Sequence, residues 1–138
     1  MFEIQICPLK KLYQLAQDGD MRSVAVLAVS SYDIQKEYLE PFCAQHCMHF
    51  SDVVNSDHPD AFTIETAESI VAFVNVLPEE LDTLFVCCDS GESRSTAMAA
   101  AIMRYYGDDE IKIWENPHYH PNPLVYVLLC EALGIFIT

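Results

Sequence analysis

The sequence predicts an α/β fold, with a central, mainly parallel sheet flanked by helices. Strand-like and helix-like segments alternate along the chain, and the strand-like runs are continuously apolar, as strands covered on both faces are. The longest helical run, "STAMAAAIMRYY", is apolar on most sides and reads as a buried central helix. At 138 residues the chain suits one domain, residues 1–138, large enough to bury a core without staples.

The elements follow in order. Residues 2–7 read as a short strand, after which Pro8 opens a segment with Leu9, Leu12, Tyr13 and Ala16 on one helical face, stopped by Gly19. "SVAVLAVS", residues 23–30, is a β-rich run suited to the sheet interior. Residues 34–44 carry mixed signals and are expected to be helical in part. Residues 47–53 read as a further strand, followed by the acidic, proline-containing loop "SDVVNSDHPDAF". Thr63 can cap a helix whose Ala67, Ile70, Val71 and Val74 form one buried face, with Pro78 ending it. Residues 84–87 form the most apolar strand. A helix over 95–106 closes at Gly107, and Asn122 with Pro123 supplies the cap and first turn of a last helix through Ala132, with Gly134 past its end.

Bulk properties narrow the function. The formal net charge of −14 repels phosphate-rich surfaces, which argues against nucleic acid and anionic membranes as partners. No apolar run approaches the roughly 18 residues that span a bilayer, and the N-terminus lacks a basic segment followed by an apolar one. A cytoplasmic protein with reduced thiols is expected, its six cysteines serving largely as small hydrophobes.

The chemistry concentrates in "LFVCCDSGESRSTAM", residues 84–98. Between Lys36 and Arg104 the only Lys or Arg is Arg94, against twelve Asp or Glu. A lone guanidinium in that company is expected to have a partner, and an anion held by the loop it closes is the candidate. The N–H groups of Asp89, Ser90, Gly91, Glu92, Ser93 and Arg94 can turn inward as an anion cradle, and the N-terminus of the following helix adds favourable potential. Gly91 permits a turn that a Cβ would hinder. Arg94 can grip two phosphate oxygens with its planar fork. The same field favours a thiolate at Cys88, the nucleophilic form.

"CDSGESRS", with Cys88, five residues, Arg94 and then Ser95 ahead of an Ala-rich helix, resembles the phosphate-binding loop of the cysteine-dependent protein tyrosine phosphatases, particularly the compact dual-specificity branch and small bacterial relatives. The resemblance runs over roughly residues 20–130, with the loop its specific part. It implies that Cys88 attacks phosphorus to form a cysteinyl-phosphate that water hydrolyses. Arg94 and the loop amides would stabilise the transition state, and Ser95 would assist the thiol leaving group. It further implies an upstream Asp as general acid: Asp57, 31 residues before Cys88, is the first choice, with Asp52 and Asp60 as competitors. No metal or cofactor is implied, and the substrate would be a phosphorylated protein, on tyrosine or another accessible residue, or a small phosphate ester.

The chain departs from the family pattern in places. Cys87 stands where His commonly precedes the nucleophile and helps to fix the loop. Glu92 adds a carboxylate that, facing the mouth, would repel acidic phosphopeptides and phosphoinositides. No substrate-depth loop is legible, so the sequence makes no prediction of phosphotyrosine selectivity. Two other functions fit the same loop: a phosphate-binding module without turnover, or a rhodanese-like sulfurtransferase.

Outside the loop, Cys43, His46, Cys47 and His49 bring four possible metal ligands into seven residues, but without the second paired half of a structural zinc site they are expected to pack. Cys87 is expected to fill core, since adjacent strand residues point to opposite faces and a vicinal disulfide with Cys88 would be strained. His118 and His120 belong to a surface loop near the last helix or to a lip at the phosphate mouth. Trp114, Tyr119 and Tyr126 are expected in the core or at its rim.

Overall fold

The structure is a computed structural model that describes residues 2–136. Strands β1 (Glu3–Pro8), β2 (Val24–Val29), β3 (Ala44–Met48) and β4 (Thr83–Cys88) form an entirely parallel sheet in the order β1-β4-β2-β3. The helices are α1 (Leu9–Asp18), α2 (Ile64–Asn75), α3 (Arg94–Tyr105), the short α4 (Ile111–Trp114) and α5 (Pro123–Ala132).

Strand alternation sorts the core onto two faces. Leu84, Val86 and Cys88 of β4 and Ala25, Leu27 and Val29 of β2 meet α2, α3 and α5. Phe85 and Cys87 of β4, with Val26 and Ala28 of β2, meet Leu9 and Leu12 of α1 and Phe42 on the other face. The two central strands are therefore apolar on both sides, which is why they lack a polar alternation. Helix α3 is buried at every residue from Arg94 to Met103, as its all-round apolar sequence requires.

The helix ends obey the local chemistry. Thr63 Oγ1 accepts from the N–H of Thr66 at 3.2 Å, capping α2. Asn122 Oδ1 accepts from the N–H groups of Leu124 and Val125, with Pro123 in the first turn of α5. Gly107 and Gly134, with φ of 77° each, close α3 and α5, and the next N–H reaches back to Met103 O and Cys130 O respectively.

Some expectations hold and others need correction. Pro8 is both the last residue of β1 and the N-cap of α1, so it opens the helix as expected; β1 is an edge strand, where a missing N–H is tolerated. Residues 34–44 are helical in part, as expected, through a 3-10 turn at Lys36–Tyr38, but the third strand spans Ala44–Met48 rather than 47–53. This strand, "AQHCM", lies at the opposite edge and is only half covered, so it carries no apolar run to mark its start. Helix α2 ends at Asn75, ahead of Pro78, and the single-turn α4 was not foreseen. Among the described residues no helix is long and apolar enough to cross a membrane.

The strand order positions the site. The β1-to-β2 connection carries α1 on one face and crosses β4, while the β3-to-β4 connection carries α2 on the other. The carboxyl end of β4 therefore lies between connections that diverge to opposite faces, where ligands of open α/β sheets bind.

Candidate active site

Strand β4 ends at Cys88 and α3 begins at Arg94, leaving the loop of residues 89–93 between them. Cys88 is 1% exposed. Its Sγ accepts from the N–H of Gly91 at 3.2 Å and donates to Ser95 Oγ, in the first turn of α3, at 3.1 Å. Gly91 has φ of 74°, in the left-handed region, and a Cβ there would stand 3.0 Å from Pro8 N and 3.2 Å from the Cys7 carbonyl carbon. The turn that aims an N–H at the sulfur thus rests on the last residues of β1.

Arg94 is buried, and its partner in this structure is internal. Its Nη2 donates to Asp89 Oδ2 at 2.9 Å and its Nη1 to the carbonyl of Phe50 at 2.8 Å. Ser31 Oγ donates to the same Asp89 oxygen at 2.7 Å. Burial works to raise the Asp89 carboxyl, but the Ser31 hydroxyl and the Arg94 guanidinium outweigh it and hold the group below the ordinary carboxylate value. Where the sequence suggested an anion as the guanidinium's partner, the chain supplies its own carboxylate. A guanidinium engaged through one edge and one carbonyl still has N–H donors for a ligand.

The far side of the loop is clamped. Asp52 Oδ1 accepts from Ser93 Oγ and from Asn122 Nδ2, both at 2.8 Å. The N–H of His120 donates to Glu92 O at 2.8 Å and that of Asn122 to Ser93 O at 3.2 Å. Thr96 Oγ1 donates to the carbonyls of Glu92 and Ser93. Asn122 therefore caps α5 with its oxygen while its amide nitrogen joins Asp52, and through it the acidic segment, to the loop of residues 89–93.

The three carboxylates weighed as general acid fall in different settings. Asp57 sits in an exposed turn held by its N–H on Asn55 Oδ1, its carboxylate facing solvent. Asp60 lines a cleft of about 220 Å³ together with Ser30, Ser31, His49, Phe50 and Ser51, at the carboxyl ends of β2 and β3. This cleft adjoins the site, because Ser31 holds Asp89 and Phe50 holds Arg94. Asp52 belongs to the clamp. In the loop, Ser90 Oγ accepts from the N–H of Glu92 at 3.3 Å, and Glu92 is exposed.

The other residues singled out from sequence disperse. His46 bonds Ser69 Oγ and stacks on Phe73, Cys47 packs on the α1 face, and His49 bonds Ser30 O and Asp33. Cys87 is fully buried with Cys7, its Sγ 3.1 Å away. Trp114 packs edge-on against Tyr126 at the rim, and the 118–120 segment abuts the loop through backbone. The sequence reading missed the Asp89–Arg94 pair, the Phe50 carbonyl, Ser31 and the Asp52–Ser93–Asn122 clamp. Asp89 had a local signal, as the first carboxylate on the loop that Arg94 closes; the other contacts are long-range and had none.

The site therefore sits where the central strand β4 of a parallel sheet runs through a short loop into the buried α3, with Cys88 at the strand end and Arg94 at the helix start. The fold is similar to crystal structures of PTPMT1, one of them in complex with PI(5)P, with a TM-score of 0.61 in both cases. Identity is 16% and 17%, and each alignment covers 96% of this chain and 90% of that one. No protein-family model matches the chain, and no curated protein matches it.

Proposed function

We propose that the chain hydrolyses phosphate monoesters through Cys88 in the manner of a dual-specificity phosphatase. The observation that supports it best is the convergence on Cys88 Sγ of the Gly91 N–H and the Ser95 hydroxyl, with the buried Arg94 in the same loop. In this reading Cys88 Sγ attacks phosphorus as the ester oxygen leaves, giving a cysteinyl-phosphate and the free alcohol. Water then attacks phosphorus, the S–P bond breaks, and the thiolate leaves with the Ser95 hydroxyl as its hydrogen-bond donor. The loop N–H groups and the unused donors of Arg94 bind the equatorial oxygens, where charge accumulates in the transition state. The PI(5)P complex of PTPMT1 supports a phosphate ester as the ligand class.

Asp57 is the proposed general acid. Its carboxylate stands free on an exposed turn, whereas that of Asp52 is committed to Ser93 and Asn122; Asp60, on the cleft wall, is the remaining competitor.

One observation favours a second reading, that of a phosphate-binding module without turnover. Asp89 competes with any phosphate for Arg94, and with Glu92 it gives the loop a formal surplus of negative charge. The deciding experiment measures phosphate release from an aryl phosphate under reducing conditions by the wild type and Cys88→Ser. Turnover in the wild type that vanishes in Cys88→Ser is expected. Vanadate binding without turnover would move the assignment to the binding module, and thiosulfate sulfurtransferase activity in place of phosphate release would move it to the rhodanese-like class.

A further inference from the structure

The proposed mechanism leaves Cys7 and Cys87 without a role, yet they form the closest pair of thiols described. They are register partners on the adjacent parallel strands β1 and β4, 6% and 0% exposed, with their sulfurs 3.1 Å apart. Strands in a sheet lie about 4.8 Å apart, inside the Cα separation of roughly 4.4–6.8 Å that a disulfide spans. Cys88 points to the opposite face and bonds Ser95, so the sheet itself separates this pair from the nucleophile. All six cysteines are free thiols in this structure.

We propose that Cys7 and Cys87 are a redox modification site, converted by hydrogen peroxide into a disulfide that staples β1 to β4 beneath the phosphate loop. The Cys7 thiolate attacks a peroxide oxygen, the O–O bond breaks, and Cys7 sulfenic acid forms with release of hydroxide, which is protonated to water. The Cys87 sulfur then attacks the Cys7 sulfur; the S–S bond forms as the S–O bond breaks, and the hydroxyl leaves as water with the Cys87 proton. Two thiols are oxidised and one peroxide is reduced to two waters.

The order of events follows from the asymmetry of the pair. The hydrogen bond from Cys87 lowers the Cys7 thiol against the opposing effect of burial, and Lys11 adds to the lowering. The same contact, together with burial, pushes Cys87 well up, so it keeps its proton until it resolves the sulfenic acid. The location gives the staple a consequence, because Gly91 of the phosphate loop packs on the backbone of Cys7 and Pro8. Oxidation therefore fixes the strand end on which the loop turn leans. None of this depends on turnover at Cys88.

The test uses Cys88→Ser, which leaves the pair intact and removes the nucleophile as a competing thiol. The reduced protein is treated with hydrogen peroxide, weighed intact, and digested without reduction. A mass loss of two hydrogens is expected, with the Cys7 peptide linked to the Cys87 peptide and the link reversed by dithiothreitol. Because the closed loop joins residues 80 apart, the melting temperature should rise by roughly 5 °C or more. Adding Cys87→Ala to this background should abolish both the link and the rise. Separate sulfinic or sulfonic acids with no cross-link, or a link from Cys7 to Cys43, Cys47 or Cys130, would overturn the proposal. So would a Cys7–Cys88 link in the wild type under the same treatment.

Discussion

Asp89 steadies Arg94 and, in the proposed function, would compete with a phosphate for its guanidinium. Its lowered pKa gives a test of the first. A carboxyl depressed on folding contributes stability that is complete above its unfolded value, about 3.9, and that is lost as the pH falls through the lower folded value. Asp89→Asn should therefore melt below the wild type at neutral pH, and the two curves should converge below about pH 4 in melts taken across that range. The difference will be small, because the carboxylate is 39% exposed and solvent screens it. The same substitution should tighten vanadate binding, since it removes a competitor for the guanidinium. The general acid is also decided by single residues. Loss of an acid slows the release of a poor leaving group far more than that of a good one. Asp57→Asn should thus depress turnover of an alkyl or phenyl phosphate by about 100-fold or more and that of a nitrophenyl phosphate less. The same pattern in Asp60→Asn, with Asp57→Asn unaffected, would transfer the role.

At the scale of elements, the loop of residues 89–93 is held on three sides: by β1 under Gly91, by Ser31 and Phe50 beside Arg94, and by the Asp52–Asn122 clamp beyond Ser93. Each restraint comes from a different segment. Gly91→Ala tests the first. An L side chain in the left-handed region costs about 1–2 kcal/mol, and its Cβ would press on backbone atoms of Cys7 and Pro8 that cannot rotate away. Denaturant unfolding should show a loss of at least that size, together with loss of vanadate binding as the Gly91 N–H leaves the sulfur. The helices on either side of this loop were legible because their signals are local: the Thr63 and Asn122 caps, the Pro123 first turn and the Gly107 and Gly134 stops all act within one turn of chain. The third strand was misplaced because its identity depends on β2 beside it, and half-covered "AQHCM" has no pattern of its own.

At the scale of the molecule, the order β1-β4-β2-β3 assembles the candidate site. It places β4 centrally, lets its carboxyl end open between diverging connections, and gathers Ser31, Phe50 and Asn122 from distant parts of the chain around one loop. The sequence by itself determined the α/β class, the buried α3, the loop between Cys88 and Arg94, and Gly91 as its turn, since periodicity, caps and a loop spacing are written in adjacent residues. Only the tertiary structure decided that Arg94 pairs with Asp89, that Asp52 is a clamp while Asp57 stands free, and that Cys87 meets Cys7. The Asp52 clamp and the thiol pair depend on strand order and register, which bring together residues 41 and 80 apart and leave no trace in the spacing of either segment.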